Sequence, residues 1–302
     1  MRQQSHYVLS VDVEDYFQVE AFARQISRDD WDHWPSRVVA NTQRALDLCD
    51  ASGARATFFL LGWVAQKFPA LVREIHARGH ELACHSFWHR PVCSLTREVF
   101  REDLRQSYDA IAQASGVRVI GFRAPSWSIT AESLWALDIL AEEGFVYDSS
   151  IFPIHHDLYG YAGGRRFPHR VETASGPELT EFPAATIRLF GLNIPTGGGG
   201  YLRILPFSFS KWALRRIEQE DGRAIVVYFH PWELDPDQPR ISGSLKSRLR
   251  HYTNLGSMES RLRTLMATHS FQPFRELLDE PMAQSPPFAV TLATAPPAAP
   301  AP

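Results

Sequence analysis

Cysteine is scarce in this 302-residue chain: Cys49, Cys84 and Cys93 are too few and too unevenly spaced for a disulfide framework. Neither sign of charge dominates. Thirty-one Lys and Arg against 34 Asp and Glu leave a net charge of −3, which excludes the long-range field of a dedicated nucleic-acid binder. Long apolar runs are missing too; the longest, Ala56 to Ala65, is far short of the ~18 residues of a spanning helix. The opening residues, MRQQSHYVLSVDVED, lack the apolar core of a secretory signal. With so few cysteines, this makes the cytoplasm the expected location. No internal repeat is present, which excludes solenoids and propellers. What remains is 44% apolar, 22% charged and 12% aromatic, a globular mixture too rich in rings to be largely disordered.

Short apolar runs alternate with longer segments of helical period. YVLSVDV (7–13), ATFFLL (56–61), HELACH (80–85), VIGFRAP (119–125), FVYDSS (145–150) and RAIVVYFHP (223–231) read as buried strands. Between them, helices are expected from Val38 to Cys49 with Gly53 as the stop, and from Trp63 to Gly79. Another begins at the N-cap Thr96 and ends at Gly116, and a further one is capped by Thr130. Helical period returns over Phe207 to Glu220 and Ser257 to His269. Such alternation is the mark of a parallel α/β sheet with helical crossovers. From Ser150 to Arg203 the rhythm breaks into Gly- and aromatic-rich sequence, read as an insertion of loops and hairpins, with Gly197 to Gly200 as a flexible turn. A phosphate loop is not indicated there, because no Lys-Ser/Thr and helix follow in the required form. The Ala/Pro-rich residues 281–302 read as a disordered tail.

In a barrel of parallel strands, reactive groups gather where the strands end. Five of these strands end in polar residues: Asp12, Glu14 and Asp15; His85 and His89; Arg123; Asp148; and His230. One such residue would be a helix cap or a satisfied core group, but five strand ends together suggest a site. The four-residue spacing of His85 and His89 would put both imidazoles on one face of a helical turn, as two ligands of one metal require. Asp12 and Glu14 share one side of an extended strand. Two His and one carboxylate make an open site of the kind used by catalytic Zn²⁺ or by non-haem Fe²⁺.

Taken in order, SVDVED (10–15), HSFWH (85–89), FRAPSW (122–127) and the strand ending at His230 resemble the motifs of carbohydrate esterase family 4. These are the polysaccharide deacetylases with a NodB-like domain. Within that family, DVEDYFQV, PTGGGGYLRILP and HYTNLGSMESRLRTL are similar to the group associated with exosortase-A exopolysaccharide clusters. The resemblance implies a distorted (β/α)7-type barrel over residues 7–235, with a C-terminal extension over 236–280. It also implies divalent-metal hydrolysis, with Zn²⁺ or another transition metal, of N-acetyl groups on a glycan. By the same resemblance Asp12 is the base and Arg123 orients it. His85 and His89 bind the metal, and His230 is the acid. Typical members have two adjacent aspartates where this chain has Asp12-Val13-Glu14-Asp15, so the third ligand is Glu14 or Asp15; strand alternation favours Glu14.

Two other functions stay open on the sequence. One is a metal-dependent amidase of the same fold acting on small cyclic amides, as allantoinases do. The other is a catalytically silent carbohydrate-binding barrel. Trp88, Trp127, Trp232 and Tyr201 are candidates for stacking on sugar rings, although a core role is the commoner use of such residues. Residues 240–263 hold Arg240, Lys246, Arg248, Arg250, Arg261 and Arg263 against one acid, Glu259. A solvated helix face accounts for them; a weak membrane-surface contact, serving a lipid-linked glycan, is the sharper alternative.

Overall fold

The computed structural model describes residues 7–156, 159–174, 176–221, 223–279 and 288–289. In chain order its elements begin with β1 (Tyr7–Val13), α1 (Val38–Ser52), β2 (Thr57–Leu60), α2 (Gly62–Lys67), α3 (Pro69–Ala77) and β3 (Glu81–Cys84). There follow α4 (Arg97–Ser115), β4 (Gly121–Phe122), α5 (Trp135–Glu142) and β5 (Tyr147–Asp148). The irregular stretch contains β6 (His169–Glu172), β7 (Leu179–Glu181), β8 (Thr186–Leu189), β9 (Leu192–Pro195) and α6 (Gly199–Ile204). The chain then continues through α7 (Phe207–Asp221), β10 (Ile225–Phe229), α8 (Leu245–Tyr252), α9 (Leu255–Thr268), β11 (Phe271–Gln272) and β12 (Phe288–Ala289).

Seven strands lie side by side and run parallel in the order β10-β1-β2-β3-β4-β5-β7. The sheet is curled into a half-barrel, the distorted barrel that the motifs imply. β6 adds antiparallel to β7, and β11 pairs with the start of β1 below β2. Side chains alternate across β1. Leu9, Val11 and Val13 join the core beneath the helices, whereas Val8 joins the packed interior with Phe59, Tyr147, Val226 and Phe274. Ser10, Asp12 and Glu14 share the inward face of Val8 and climb towards the C-terminal mouth.

Several sequence expectations need correction. The helix expected from Trp63 to Gly79 is two, because Pro69 removes a donor and forces Phe68 out of the helical region, to φ −128 and ψ 58. Thr96 caps α4 as expected, accepting from the Val99 amide, and Gly116 ends that helix in the left-handed conformation. Thr130 caps nothing; its amide donates to Ser133 Oγ in a turn, and α5 starts only at Trp135. Residues 150–203 are not simply inserted, since β7 is a strand of the main sheet. Nor is 197–200 a flexible turn. A Cβ on Gly198 would lie 2.1 Å from the Tyr228 carbonyl oxygen, so only glycine permits this crossing of β10. There Tyr228 N donates to Gly197 O and Thr196 N to Ala185 O, stitching β10 to the chain leaving β7. Most of the tail expected to be disordered lies outside the described residues, apart from β12, which pairs with β6.

Part of the C-terminal extension also packs into the barrel. Leu262 and Leu265 of α9 are buried, and Phe274, fully buried, meets the rings of Phe59, Tyr147 and Phe182 at centroid distances of 5.8, 5.3 and 4.9 Å.

Candidate active site

At the C-terminal mouth, Asp12, Glu14, His85, His89 and Arg123 are all at most 3% exposed, and His230 stands beside them with an 18% exposed side chain. Arg123, the first residue beyond β4, is completely buried, and each of its guanidinium nitrogens has a partner. It donates to Asp12 Oδ1 at 2.6 Å, Ser10 Oγ at 2.8 Å, Ser149 O at 3.1 Å and Ser149 Oγ at 2.9 Å. Its guanidinium lies over Phe59 and Trp127 at 4.2 and 4.7 Å. Such a fork leaves Asp12 one fixed orientation, with Oδ2 turned to His230 Nε2 at 3.9 Å.

Glu14, His85 and His89 each bring one ligand atom within 4.8 Å of the others'. His85 Nδ1 is 2.7 Å from the Arg123 carbonyl and, as donor, leaves Nε2 the basic nitrogen. Burial holds this imidazole low, at about 4, so it is neutral, as a ligand must be. Glu14 Oε2 lies 2.8 Å from His89 Nε2, and neither Glu14 Oε2 nor His89 Nδ1 has a hydrogen-bond partner. Buried polar atoms without partners are costly, and a bound cation is one way of using them. The donor set therefore fits a divalent metal.

The His pair reaches this geometry without a helix. Ser86 and His89 adopt left-handed φ of 67 and 50, so the four-residue spacing acts through a clamped loop. Asp103 of α4 accepts from the amides of Phe87 and Trp88, and Arg28 donates to the carbonyls of Trp88 and His89. Asp15, the alternative third ligand, is turned away. Its carboxylate accepts from Ser36 Oγ at 2.6 Å and from the amides of Arg37 and Val38 at 2.9 and 3.1 Å, which fixes the start of α1. Asp148 is not in the mouth either; it points to the opposite face of the sheet from Tyr147 and accepts from Ser150.

His230 follows β10 and sees three carboxylates. Its Nε2 is 3.4 Å from Glu14 Oε1 and 3.9 Å from Asp12 Oδ2, and its Nδ1 is 3.0 Å from Glu233 Oε2. Burial alone would lower it, but Glu14, Glu233 and Asp12 outweigh burial and lift it to about 9, so it carries a proton at neutral pH. Burial likewise raises Glu14, yet His89 and His230 hold it down at about 2.

Sequence reasoning missed what supports His230. Glu233 is fully buried and also accepts from Arg203 Nε at 2.5 Å. Arg203, itself 1% exposed, donates through its two terminal nitrogens to the carbonyls of Arg250, His251 and Thr253. The signal for Glu233 was present, as an acid three residues after a strand-ending histidine that closes a capping box. Trp232, a candidate sugar platform, is instead stacked on His230 and His251 at 5.2 and 4.1 Å and donates to Glu14 Oε1. Trp127 is buried over Arg123, while Trp88 and Tyr201 remain partly exposed.

Residues 29–143 match the family described as polysaccharide deacetylase, and residues 149–279 match a domain of unknown function (DUF3473). A chitooligosaccharide deacetylase of Rhizobium leguminosarum bv. trifolii is 32% identical over 117 residues, 39% of this chain and 50% of that protein. A peptidoglycan-N-acetylglucosamine deacetylase of Bacillus cereus is 29% identical over 98 residues, 32% of this chain and 36% of that protein. Matches of this kind span from 18% to 50% of the relatives' own lengths. A Mycobacterium smegmatis protein described among the polysaccharide deacetylases superimposes with a TM-score of 0.60 at 19% identity, covering 92% of this chain and 90% of that one. An allantoinase superimposes with a TM-score of 0.61 at 13% identity, with the same coverages of 92% and 90%. At these identities the structural likeness concerns the fold alone.

Proposed function

We propose, from the premise that the chain carries a polysaccharide deacetylase domain of the NodB-like type, that it is a divalent-metal hydrolase of N-acetylated sugars. The substrate in this reading is an exopolysaccharide or its precursor. The observation that carries it is the meeting, in one mouth, of the buried Glu14–His85–His89 donor set with the Asp12–Arg123 pair and a protonated His230.

Glu14, His85 and His89 would hold the cation, Zn²⁺ or another divalent transition metal, since one carboxylate and two imidazoles suit either. When bound, such an ion supplies a Lewis acid that acidifies water and polarises a carbonyl. The rest is work for the protein's own side chains. Asp12 takes the water's proton at Oδ2, the oxygen that Arg123 leaves uncommitted. Arg123 prevents Asp12 from rotating away. His230 gives its Nε2 proton to the departing sugar amine; Glu233 keeps that ring oriented through Nδ1. Trp88 and Tyr201, partly exposed, are the aromatic surfaces left for a sugar ring.

The names of the curated relatives support a glycan over a small cyclic amide, and the full constellation supports catalysis over mere binding. Cys49, Cys84 and Cys93 are all free thiols, which supports action in a reducing compartment on a precursor met before export. Among the described residues no helix is long and apolar enough to cross a membrane. The decisive experiment is acetate release by the zinc-loaded protein from N-acetylated oligosaccharides, with allantoin as the competing substrate. Acetate release without allantoin turnover is expected; the reverse, or neither in protein carrying stoichiometric zinc, would overturn the reading.

A further inference from the structure

We propose that α8, together with Ile204 of α6, is a docking surface for an anionic lipid bilayer and sets the mouth of the barrel against it. Leu245 and Leu249 are one helical turn apart on one face and are 72% and 58% exposed; Ile204 is 46% exposed. Gly200 links the two elements, since a Cβ on it would lie 3.9 Å from Ile204 Cδ1 and 4.0 Å from the Arg250 carbonyl. Lys246, Arg248 and Arg250, all exposed, surround these aliphatic groups. From Gln238 to Met258 the chain has no acid at all. The elements packed against α8 are α6 and the turn Glu20–Phe22, and they bring one exposed acid, Glu20.

An eight-residue helix is marginal by itself and ordinarily survives by burying an apolar stripe. This one leaves its stripe in water. It is held instead by its last turn, where Arg203 takes the carbonyls of Arg250 and His251, and His251 is buried with Nε2 2.7 Å from Gln238 Oε1. The helix is thus presented by a polar anchor, with leucines and cations outward. That combination is what seats at the headgroup boundary: short aliphatic groups enter the interface while Lys and Arg meet anionic headgroups. A stable protein partner would need about 800 Å² per side, well beyond three aliphatic side chains on two short helices.

His251 stacks at 4.1 Å on Trp232, which stacks at 5.2 Å on His230, so the docked surface lies two ring layers from the acid. A sugar carried on a lipid would then reach the mouth without leaving the membrane surface. This last consequence rests on the deacetylase reading; the docking surface itself does not.

Vesicle sedimentation of the full chain tests it, with acetate release from a soluble N-acetylated oligosaccharide, zinc content and thermal unfolding measured alongside. The protein should bind phosphatidylglycerol-rich vesicles and ignore pure phosphatidylcholine, with affinity falling as salt shortens the Debye length. Lys246→Gln/Arg248→Gln/Arg250→Gln should lose on the order of a hundredfold in affinity, from about fivefold per cation. Leu245→Ser/Leu249→Ser should lose about tenfold. Both variants should unfold, hold zinc and treat the soluble substrate as the parent does. Absence of binding to anionic vesicles would overturn the proposal. So would equal binding by either variant, or a preference for a soluble acidic polysaccharide over vesicles. Failure of acetate release with vesicle binding intact would count against the deacetylase reading alone.

Discussion

Residues 7–148 and 149–279 complete one mouth by different physical means. In the first stretch the parallel strands are joined by helical crossovers, and each functional group is set by where a strand ends: Glu14 after β1, His85 after β3, Arg123 after β4. In the second, one strand joins the sheet antiparallel, one hairpin lies off the sheet, and His230 depends on a buried chain of charges, from Arg203 through Glu233 to the imidazole. Strand ends position Glu14 and His85, a clamped loop positions His89, and ion pairing positions the acid. Loss of a metal donor in the first region should therefore appear as lost metal, and damage to the Arg203–Glu233 support in the second as altered protonation with the metal retained.

The largest effect is expected in the first region. His85→Ala, His89→Ala or Glu14→Ala should each leave the protein substoichiometric in zinc and slow turnover by ~10³ or more, the Lewis acid being worth several kcal/mol. Metal analysis and acetate release on the same sample check this. Full occupancy in any of the three would break the comparison at its base. Asp12→Asn is next. It should keep the zinc and lose ~10²–10⁴ in turnover, the range of general acid–base catalysis. It also leaves Arg123 buried without its carboxylate, at a stability cost of about 3–5 kcal/mol, so rates must be read below a lowered melting temperature. Turnover close to that of the parent, with zinc bound, would remove Asp12 from the role of base.

The two regions also differ in how much of them could be read beforehand. Period-two alternation puts Asp12 and Glu14 on one side of β1, so their convergence was legible from YVLSVDV and the residues after it. Both histidines were legible as a pair, yet the helical turn inferred from their spacing does not exist. Left-handed Ser86 and His89 are imposed by Asp103 and Arg28, whose contacts reach the loop across 15 to 61 residues of sequence. Alternation favoured Glu14 and left Asp15 as the alternative; only the bonds from Ser36, Arg37 and Val38 take Asp15 out of the site. Arg203 had no signal at all, since an arginine after a run of glycines reads as a surface residue rather than one buried among three carbonyls and a carboxylate. Phe274 was equally silent, because a two-residue strand and a single turn carry no hydrophobic period.

Phe274 sharpens the comparison from the side of stability. If residues 236–280 were only an accessory, truncating a ring there would cost little. With that ring buried among Phe59, Tyr147 and Phe182, Phe274→Ala should lose about 3–5 kcal/mol in denaturant unfolding and still bind zinc below its midpoint. A loss under about 1 kcal/mol would mean that the C-terminal segment does not plug the barrel.

The smallest and most discriminating effect belongs to Glu233→Gln. The amide keeps an oxygen able to accept from His230 Nδ1 but removes one of the three charges that lift the imidazole to about 9 against its burial; it also leaves the buried Arg203 without its carboxylate, at a stability cost of about 3–5 kcal/mol, so rates are read below a lowered melting temperature. Metal content should be unchanged, because Glu233 contributes no donor to the Glu14–His85–His89 set. The alkaline limb of kcat/KM should move to lower pH. Turnover should drop roughly tenfold on that limb, as one pH unit of displacement would give, and little below neutrality, where His230 is protonated in both proteins. Stability carries the same sign. A histidine raised in the folded state adds stability that is complete below its ordinary pKa of ~6.5 and is lost as pH rises through about 9. The decline in melting temperature across that window should therefore be shallower in the variant than in the parent. An unmoved alkaline limb at equal zinc content would show that the second region orients His230 without tuning it, and the contrast between strand ends and ion pairing would then fail.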